Sequence, residues 1–158
     1  MDVVDNGHVD YIRCLEQLSN GQLCSGSKDK EIKVWSMMDE KLVKTLKGHT
    51  DSVRCLKALP NLKLVSGGDD KSIRVWDVDA SKGECIHVLS GHKNGVVGLE
   101  LLSSELLISC CGDNYLKVWS LKSFNCVLNL TQRHIVRCIK LGSDGNVFGG
   151  TEEKSVKV

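Results

Sequence analysis

The stretch Ser66-Gly-Gly-Asp-Asp-Lys-Ser-Ile-Arg-Val-Trp76-Asp77 decides the fold of this chain, because close copies of it stand before and after it. Residues 25 to 35 read Ser-Gly-Ser-Lys-Asp-Lys-Glu-Ile-Lys-Val-Trp, and residues 115 to 119 read Tyr-Leu-Lys-Val-Trp. The tryptophans that end the three phrases are 41 and then 43 residues apart. A repeat of this period predicts a fold built from stacked copies of one supersecondary unit.

Three further residue types keep a fixed distance from each tryptophan. A Gly-His pair places its histidine 27 residues earlier, a serine stands ten residues earlier and an aspartate six residues earlier. The complete sets are His8, Ser25, Asp29 and Trp35; His49, Ser66, Asp70 and Trp76; and His92, Ser109, Asp113 and Trp119. Four residue types in one register, three times over, are not a chance pattern.

A fourth copy begins near the end of the chain, but its motif residues have changed. Val136-Arg137-Cys138 repeats Val53-Arg54-Cys55, whereas Gln132 replaces the histidine, Gly149 the serine and Glu153 the aspartate. The last phrase, Ser155 to Val158, stops one residue before a tryptophan is due. We therefore divide the chain into repeats at about 7–47, 48–90, 91–131 and 132–158, the last one incomplete.

The repeated phrases resemble WD40 repeats over nearly the whole chain, from Gly7 to Val158. The resemblance implies an all-β fold, a WD40-type β-propeller with about three and a half four-stranded blades. The observed period fits the roughly 40–45 residues of such a blade. Propellers close with about four to eight blades, so we expect residues 1–158 to form a partial propeller. Further blades or self-association would be needed to complete the ring.

The second copy shows how one blade is expected to form. Its β-rich runs are Ser52–Leu59, Leu62–Gly67, Ser72–Val78 and Cys85–Leu89. Glycine, asparagine, aspartate and serine separate these runs, as tight hairpins require. No segment shows sustained helical periodicity.

Composition and charge exclude several classes of function. Lys and Arg total 21, Asp and Glu total 20, and the net charge is +1. This balance predicts no bulk attraction to nucleic acid or to an anionic membrane. The N-terminus lacks the basic and apolar regions of a signal peptide, and no apolar run is long enough to span a bilayer. We expect a cytoplasmic or nuclear protein.

Eight cysteines are present, at positions 14, 24, 55, 85, 110, 111, 126 and 138. None forms a C-x-x-C pair, so the spacing of a zinc finger is absent. Without a secretion signal, a disulfide framework is not expected. The cysteines are predicted to be mostly small buried hydrophobic residues in strands, and the sequence predicts neither a metal nor a cofactor.

The recurring serine, histidine and aspartate could be interpreted as a catalytic triad. Three copies in three repeats favour a structural role, because an enzyme needs one site. The WD40 resemblance implies a network in which Trp, Ser, His and Asp are hydrogen-bonded to one another. Physical chemistry agrees, since a buried indole N–H, imidazole and carboxylate all need partners. No G-x-S-x-G, H-E-x-x-H or phosphate-binding glycine loop is present, so we predict no enzymatic activity.

Two register positions carry the candidate binding residues. Five residues after each motif histidine stand Arg13, Arg54 and Val97, with Arg137 in the fourth copy. The residue before each motif aspartate is Lys28, Asp69 or Gly112, with Glu152 in the fourth copy. The resemblance places both positions on the top face of a propeller, near its central channel.

The Val-Arg-Cys phrases are similar to those of F-box/WD substrate receptors, in which the matching arginines clamp a phosphorylated peptide. The guanidinium fork matches phosphate or carboxylate oxygens. The candidate peptide-binding residues are Arg13, Lys28, Arg54 and Arg137, although Asp69 brings a negative charge close to this set. Tyr11 and Tyr115 could be exposed anchors, although packing is their expected role.

The sequence therefore predicts a non-enzymatic interaction scaffold or adaptor. Its partners would be proteins or peptides, including acidic or phosphorylated ones, and not nucleic acid or membrane. One alternative is the substrate-recognition module of an F-box-type ubiquitin ligase, which an F-box elsewhere would support. A second alternative is the accessory propeller of a larger enzyme such as a kinase. The fold alone does not distinguish these duties.

Overall fold

The computed structural model describes residues 7–153 and 155–157, which form fifteen strands in four antiparallel sheets. The first sheet contains β1 (Ile12–Gln17), β2 (Leu23–Ser27), β3 (Ile32–Ser36) and β4 (Lys41–Leu46). The second contains β5 (Val53–Leu59), β6 (Lys63–Gly68), β7 (Ile73–Asp77) and β8 (Glu84–Leu89). The third contains β9 (Val96–Leu101), β10 (Leu106–Cys111), β11 (Tyr115–Ser120) and β12 (Cys126–Thr131). The fourth contains β13 (Val136–Leu141), β14 (Val147–Thr151) and β15 (Val156–Lys157).

Each sheet is an up-and-down meander, with strands paired in chain order. The first strands of successive sheets, β1, β5, β9 and β13, pack side by side. They therefore form the inner edge of the assembly, and β4, β8 and β12 lie at its rim. The predicted all-β propeller with three complete blades and one partial blade is confirmed, and the ring is not closed. The runs predicted for the second blade match β5 to β8 to within one residue at each end.

The core lies between successive blades, and a tryptophan fills each of the first two interfaces. Trp76 of the second blade packs in a cluster with Ile32, Val34 and Leu46 of the first. Trp119 of the third blade packs in the same way with residues of the second, namely Val65, Ile73, Val75 and Leu89. Both indoles are almost completely buried. Each blade thus buries its faces only with the help of its neighbours, as in other repeat folds.

Glycines in the second strand of the first two blades allow the next inner strand to approach. A β-carbon on Gly26 would lie 2.7 Å from Val53 Cγ1, and one on Gly67 would lie 2.6 Å from Val96 Cγ1. Real β-carbons do not approach other atoms so closely, so any larger residue would push the blades apart. The interface between blades is therefore set partly by the absence of a side chain.

All eight cysteines are free thiols, and all lie in strands. Cys24, Cys55, Cys110 and Cys111 are buried, as predicted. Cys14 and Cys85 are half-buried, while Cys126 and Cys138 are exposed. Among the described residues, no helix is long and apolar enough to cross a membrane.

Candidate functional site

The structure brings together the four repeated residues of each complete blade. In the second blade, Trp76 Nε1 donates to Ser66 Oγ at 2.8 Å, and His49 Nε2 lies 2.6 Å from the same oxygen. The other ring nitrogen, His49 Nδ1, lies 2.8 Å from Asp70 Oδ2. The first blade has the same series of contacts. The distances are 2.8 Å from Trp35 to Ser25, 2.7 Å from Ser25 to His8, and 2.8 Å from His8 to Asp29.

The third blade departs from this geometry at a single contact. Trp119 Nε1 and His92 Nε2 each lie 2.7 Å from Ser109 Oγ, as in the other blades. His92 Nδ1, however, is 3.5 Å from Asp113 Oδ2, where the other two blades have 2.8 Å. The third histidine and aspartate are therefore separated by more than a normal hydrogen bond.

Each motif aspartate also connects two loops through backbone amides. Asp70 accepts hydrogen bonds from the amides of Thr50, at 3.0 Å, and Ser72, at 3.1 Å. Asp29 and Asp113 make the equivalent bonds in their own blades. The network thus fixes the loop before the inner strand to the turn between the second and third strands. A network of this kind orders the loops that carry binding residues.

The serines in these sets cannot serve as nucleophiles where they lie. Ser66 and Ser109 are completely buried, and Ser25 is nearly so. Each hydroxyl oxygen already accepts the indole N–H of its tryptophan and contacts the histidine. Buried hydroxyls that are already hydrogen-bonded in this way fit a role in ordering loops better than nucleophilic attack on a carbonyl.

Burial also favours the neutral form of His49 and His92. Desolvation lowers the pKa of His49, although the carboxylate of Asp70 acts in the opposite direction. Desolvation likewise lowers the pKa of His92. Burial acts to raise the pKa of Asp70, but hydrogen bonds from Thr50, Ser72 and His49 outweigh it, and the net pKa is lowered. A neutral imidazole beside a carboxylate is the expected state near neutral pH.

The fourth copy replaces the network with a different pair. Gln132 and Gly149 occupy the histidine and serine positions. His134, two residues further along, places Nδ1 2.9 Å from Glu153 Oε1, the substitute for the motif aspartate. A histidine–carboxylate contact therefore connects the same two loops in the fourth blade, but its carboxylate, Glu153, is exposed to solvent.

Each inner strand contains a β-bulge at the register position of the candidate arginines. In β1 the register shifts between Ile12 and Cys14, so Arg13 is the extra residue. The same shift leaves Arg54, Val97 and Arg137 as the extra residues of β5, β9 and β13. A bulge re-aims its side chain away from the regular alternation of the strand. The four positions therefore repeat around the inner edge on one end of the blades.

Backbone hydrogen bonds bring the residue before each motif aspartate next to this bulge. Lys28 N donates to Tyr11 O at 2.9 Å, and Asp69 N donates to Ser52 O at 2.8 Å. Glu152 N makes the equivalent bond to Ile135 O at 3.2 Å. The two register positions singled out in the sequence consequently form one cross-strand pair per blade.

This pair is self-neutralising in the second and fourth blades. Arg54 Nη1 lies 3.6 Å from Asp69 Oδ2. Arg137 Nε donates to Glu152 Oε1 at 2.8 Å, and its Nη2 contacts the same oxygen. In the third blade the pair is Val97 and Gly112, which carry no charge. Two of the four candidate residues are thus already paired with an acid of their own blade.

In the first blade the pair is Arg13 and Lys28, two cations. Both lie against the ring of Tyr11, with Arg13 Cζ and Lys28 Nζ each 5.7 Å from its centroid. Lys28 Nζ also lies 3.7 Å from Asp10 Oδ2. Within residues 7–153 and 155–157, no carboxylate forms an ion pair with Arg13. We call Tyr11, Arg13 and Lys28 the cationic cluster.

The packing role expected for Tyr11 is wrong. Its side chain is 71% exposed, and the same register in the next two blades holds Ser52 and Gly95, so no aromatic residue repeats there. The sequence did indicate that the first blade is different, since Lys28 is a cation where the second and fourth copies have the acids Asp69 and Glu152. The bulges had no sequence signal, because they depend on pairing between strands.

Comparisons with known proteins agree with this architecture. The family model described as "WD domain, G-beta repeat" matches residues 3–36, 40–77 and 83–120, well over half of the chain. The structure is similar to the crystal structure of the WD40 β-propeller domain of Doa1, with a TM-score of 0.86 and 24% sequence identity. The match covers 95% of this chain and 51% of that one, so this chain spans about half the length of the Doa1 propeller chain. A comparison with curated protein sequences found no match.

Proposed function

This chain belongs to the WD40 family of WD-domain, G-beta repeats, and on that premise we propose that it is a non-enzymatic adaptor that binds an acidic or phosphorylated segment of a partner protein. WD40 propellers in general bind proteins or peptides. The proposed contact surface is the cationic cluster of the first blade, with Arg54 of the second blade as its neighbour in the same register.

The pair of cations in the first blade carries the proposal, because Lys28 contacts Asp10 at 3.7 Å, whereas no carboxylate of the described residues pairs with Arg13. Two other blades place an acid beside the bulged arginine, at Asp69 and Glu152. The first blade places Lys28 there instead, and Arg13 keeps its guanidinium fork available. Two like charges held side by side are unfavourable unless an anion lies between them. An acidic group of a partner protein could supply that anion.

The chemistry of the cluster suits a phosphate or a carboxylate. Arg13 offers a planar fork for two oxygens, and Lys28 offers a compact ammonium donor. The exposed face of Tyr11 provides apolar area at low conformational cost, which is typical of residues that anchor peptides. Recognition of phosphorylated or acidic motifs by clustered cations is a recurring mode of peptide binding.

The test measures binding of a fluorescent peptide that carries two phosphoserines, by fluorescence anisotropy at low salt. We expect wild-type protein to prefer it to the unphosphorylated peptide. Arg13→Ala should weaken binding about tenfold or more, because a charged hydrogen bond contributes about 1.5–3 kcal/mol. Lys28→Asp should have a similar or larger effect, since it gives the first blade the self-neutralised pair of the second.

Arg137→Ala is the matched control, because it removes the same charge from a pair that Glu152 already neutralises. Its effect on affinity should be small. Equal affinity for the two peptides, or equal losses in Arg13→Ala and Arg137→Ala, would contradict the proposal. The second result would mean that only net charge matters and that no local site exists.

A further inference from the structure

The third blade carries a different side chain at the point where its histidine meets its aspartate. Cys111 stands at the register of Ser27 and Gly68 in the first two blades. A β-carbon on Gly68 would lie 2.8 Å from His49 Nδ1 and 3.0 Å from Asp70 Oδ1. A side chain at this register is therefore directed toward the gap between histidine and aspartate.

The three blades accommodate this residue differently. In the first, the Ser27 hydroxyl donates to Asp10 O and accepts from the amide of Asp29, each at 3.1 Å, and the His8–Asp29 contact stays at 2.8 Å. In the third, the thiol of Cys111 remains beside Asp113, to which it is hydrogen-bonded. The distance from His92 Nδ1 to Asp113 Oδ2 is 3.5 Å. The three side chains thus surround a gap that the other two blades lack.

The distance between the histidine and aspartate ligand atoms matches one edge of the coordination tetrahedron of a zinc ion. One ligand atom from each of His92, Cys111 and Asp113 lies within 4.8 Å of the other two. Nitrogen and oxygen ligands at about 2.0–2.1 Å from a tetrahedral zinc ion lie about 3.3–3.4 Å from each other. The observed 3.5 Å between Nδ1 and Oδ2 is close to that edge length. The 2.8 Å of the other blades is too short for it.

The surrounding hydrogen bonds leave Nδ1 of His92 available as a ligand. Ser109 Oγ accepts a hydrogen bond from the indole N–H of Trp119 and donates one to Lys117 O, which lies 3.4 Å away. Nε2 of His92, 2.7 Å from Ser109 Oγ, can then donate its proton to that oxygen. In this tautomer Nδ1 carries a lone pair. The amides of Lys93 and Tyr115 hold the Asp113 carboxylate in place, as outer partners usually do for metal ligands.

We propose that His92 Nδ1, Cys111 Sγ and an Asp113 carboxylate oxygen form a Zn²⁺ site, with water as the fourth ligand. A thiolate with an imidazole selects zinc over Mg²⁺ and Ca²⁺, which prefer oxygen ligands alone. Binding releases the thiol proton to solvent. The ion would replace a stretched hydrogen bond with three bonds and would lock the loops of the third blade.

The test uses the 158-residue chain, freed of metal, and titrates it with Zn²⁺ by calorimetry and with Co²⁺ by absorption spectroscopy. Wild-type protein should bind one Zn²⁺ per chain and should show the charge-transfer band of a thiolate bound to cobalt. Zn²⁺ should also raise its melting temperature, because an ion that binds only the folded state stabilises it.

Two variants make the test specific. Cys111→Gly introduces the residue that the second blade has at this register, so it should fold, which circular dichroism checks. It should lose the cobalt band and bind Zn²⁺ at least about a hundredfold more weakly, since even outer partners are worth 10–100-fold. Cys126→Ser removes an exposed thiol and should bind like wild type. Equal Zn²⁺ affinity in wild type and Cys111→Gly would overturn the proposal, and the thiol of Cys111 would then only donate to Asp113.

Discussion

At the scale of single residues, the buried histidines link acid sensitivity to the loop network. His49 is neutral in the folded state because burial lowers its pKa. The unfolded chain has an ordinary histidine pKa of about 6.5. Between these two pKa values the unfolded state binds more protons, so the stability contributed by His49 is complete above about pH 6.5 and is lost as pH falls. The lowered pKa of Asp70 adds a further loss at more acidic pH.

We expect the melting temperature of wild-type protein to fall between pH 7 and pH 5, and His49→Gln to reduce that slope. Glutamine does not titrate, and Gln132 holds this register in the fourth copy. Some slope should remain, because burial also lowers the pKa of His92. Thermal unfolding, followed by circular dichroism between pH 7 and pH 5, measures how the melting temperature changes with pH. His87→Gln, on an exposed outer strand, is the control, and an unchanged slope in His49→Gln would contradict the explanation.

At the scale of elements, charges of alternating sign connect the inner strands. Glu16, Lys57, Glu100 and Lys140 occupy one register position of β1, β5, β9 and β13. Glu100 is only 6% exposed, contacts Lys57 Nζ through Oε1, and accepts from Lys140 Nζ through Oε2 at 3.2 Å. Burial acts to raise its pKa, but the two lysines outweigh it and the pKa is lowered. One carboxylate therefore joins three blades.

Glu100→Gln should lower the free energy of unfolding by about 1–2 kcal/mol, because a charge-assisted hydrogen bond is replaced by a neutral one in a buried position. Urea denaturation at neutral pH measures the change. Glu105→Gln, an exposed acid in the same blade, should be within about 0.5 kcal/mol of wild type. If the two variants were equally stable, the contacts of Glu100 would be energetically unimportant.

At the scale of the whole molecule, one blade face has no neighbour among the described residues, and a second is covered only in part by the incomplete fourth blade. Ile12, Leu15 and Met37 are 54%, 58% and 57% exposed. Their register partners in the second blade, Val53, Leu56 and Val78, are buried by the first blade. At the other end, Leu130 is 39% exposed, whereas Leu46 and Leu89 at the same place are buried. We propose that further blades or a second copy cover these faces.

A chain of these 158 residues should therefore self-associate in a concentration-dependent way, because association removes large exposed apolar faces from water. Sedimentation velocity over a range of concentrations measures this. Leu15→Lys places a charge on the first-blade face and should shift the distribution toward monomer. Lys41→Glu, at an exposed rim position, should not. A wild-type chain that stayed monomeric at all concentrations would contradict the proposal.

The sequence by itself determined the architecture, because the fold is local and repeated. Each blade is a meander of neighbouring strands with short turns, so the register of Trp, Ser, His and Asp is visible along the chain. The same periodicity identified the residues that make up the hydrogen-bonded sets. It also singled out Arg13, Lys28, Arg54 and Arg137, whose role in binding remains a prediction.

Only the tertiary structure decided which of these residues are paired and which are available. Strand pairing creates the bulges and brings Arg54 to Asp69 and Arg137 to Glu152. It leaves Arg13 beside Lys28 and Tyr11, and it directs Cys111 toward His92 and Asp113. These contacts join different strands and loops, and their distances depend on rotamers and on fractions of an ångström. Periodicity reports which positions are equivalent, whereas the differences between equivalent positions emerge only when the blades are packed.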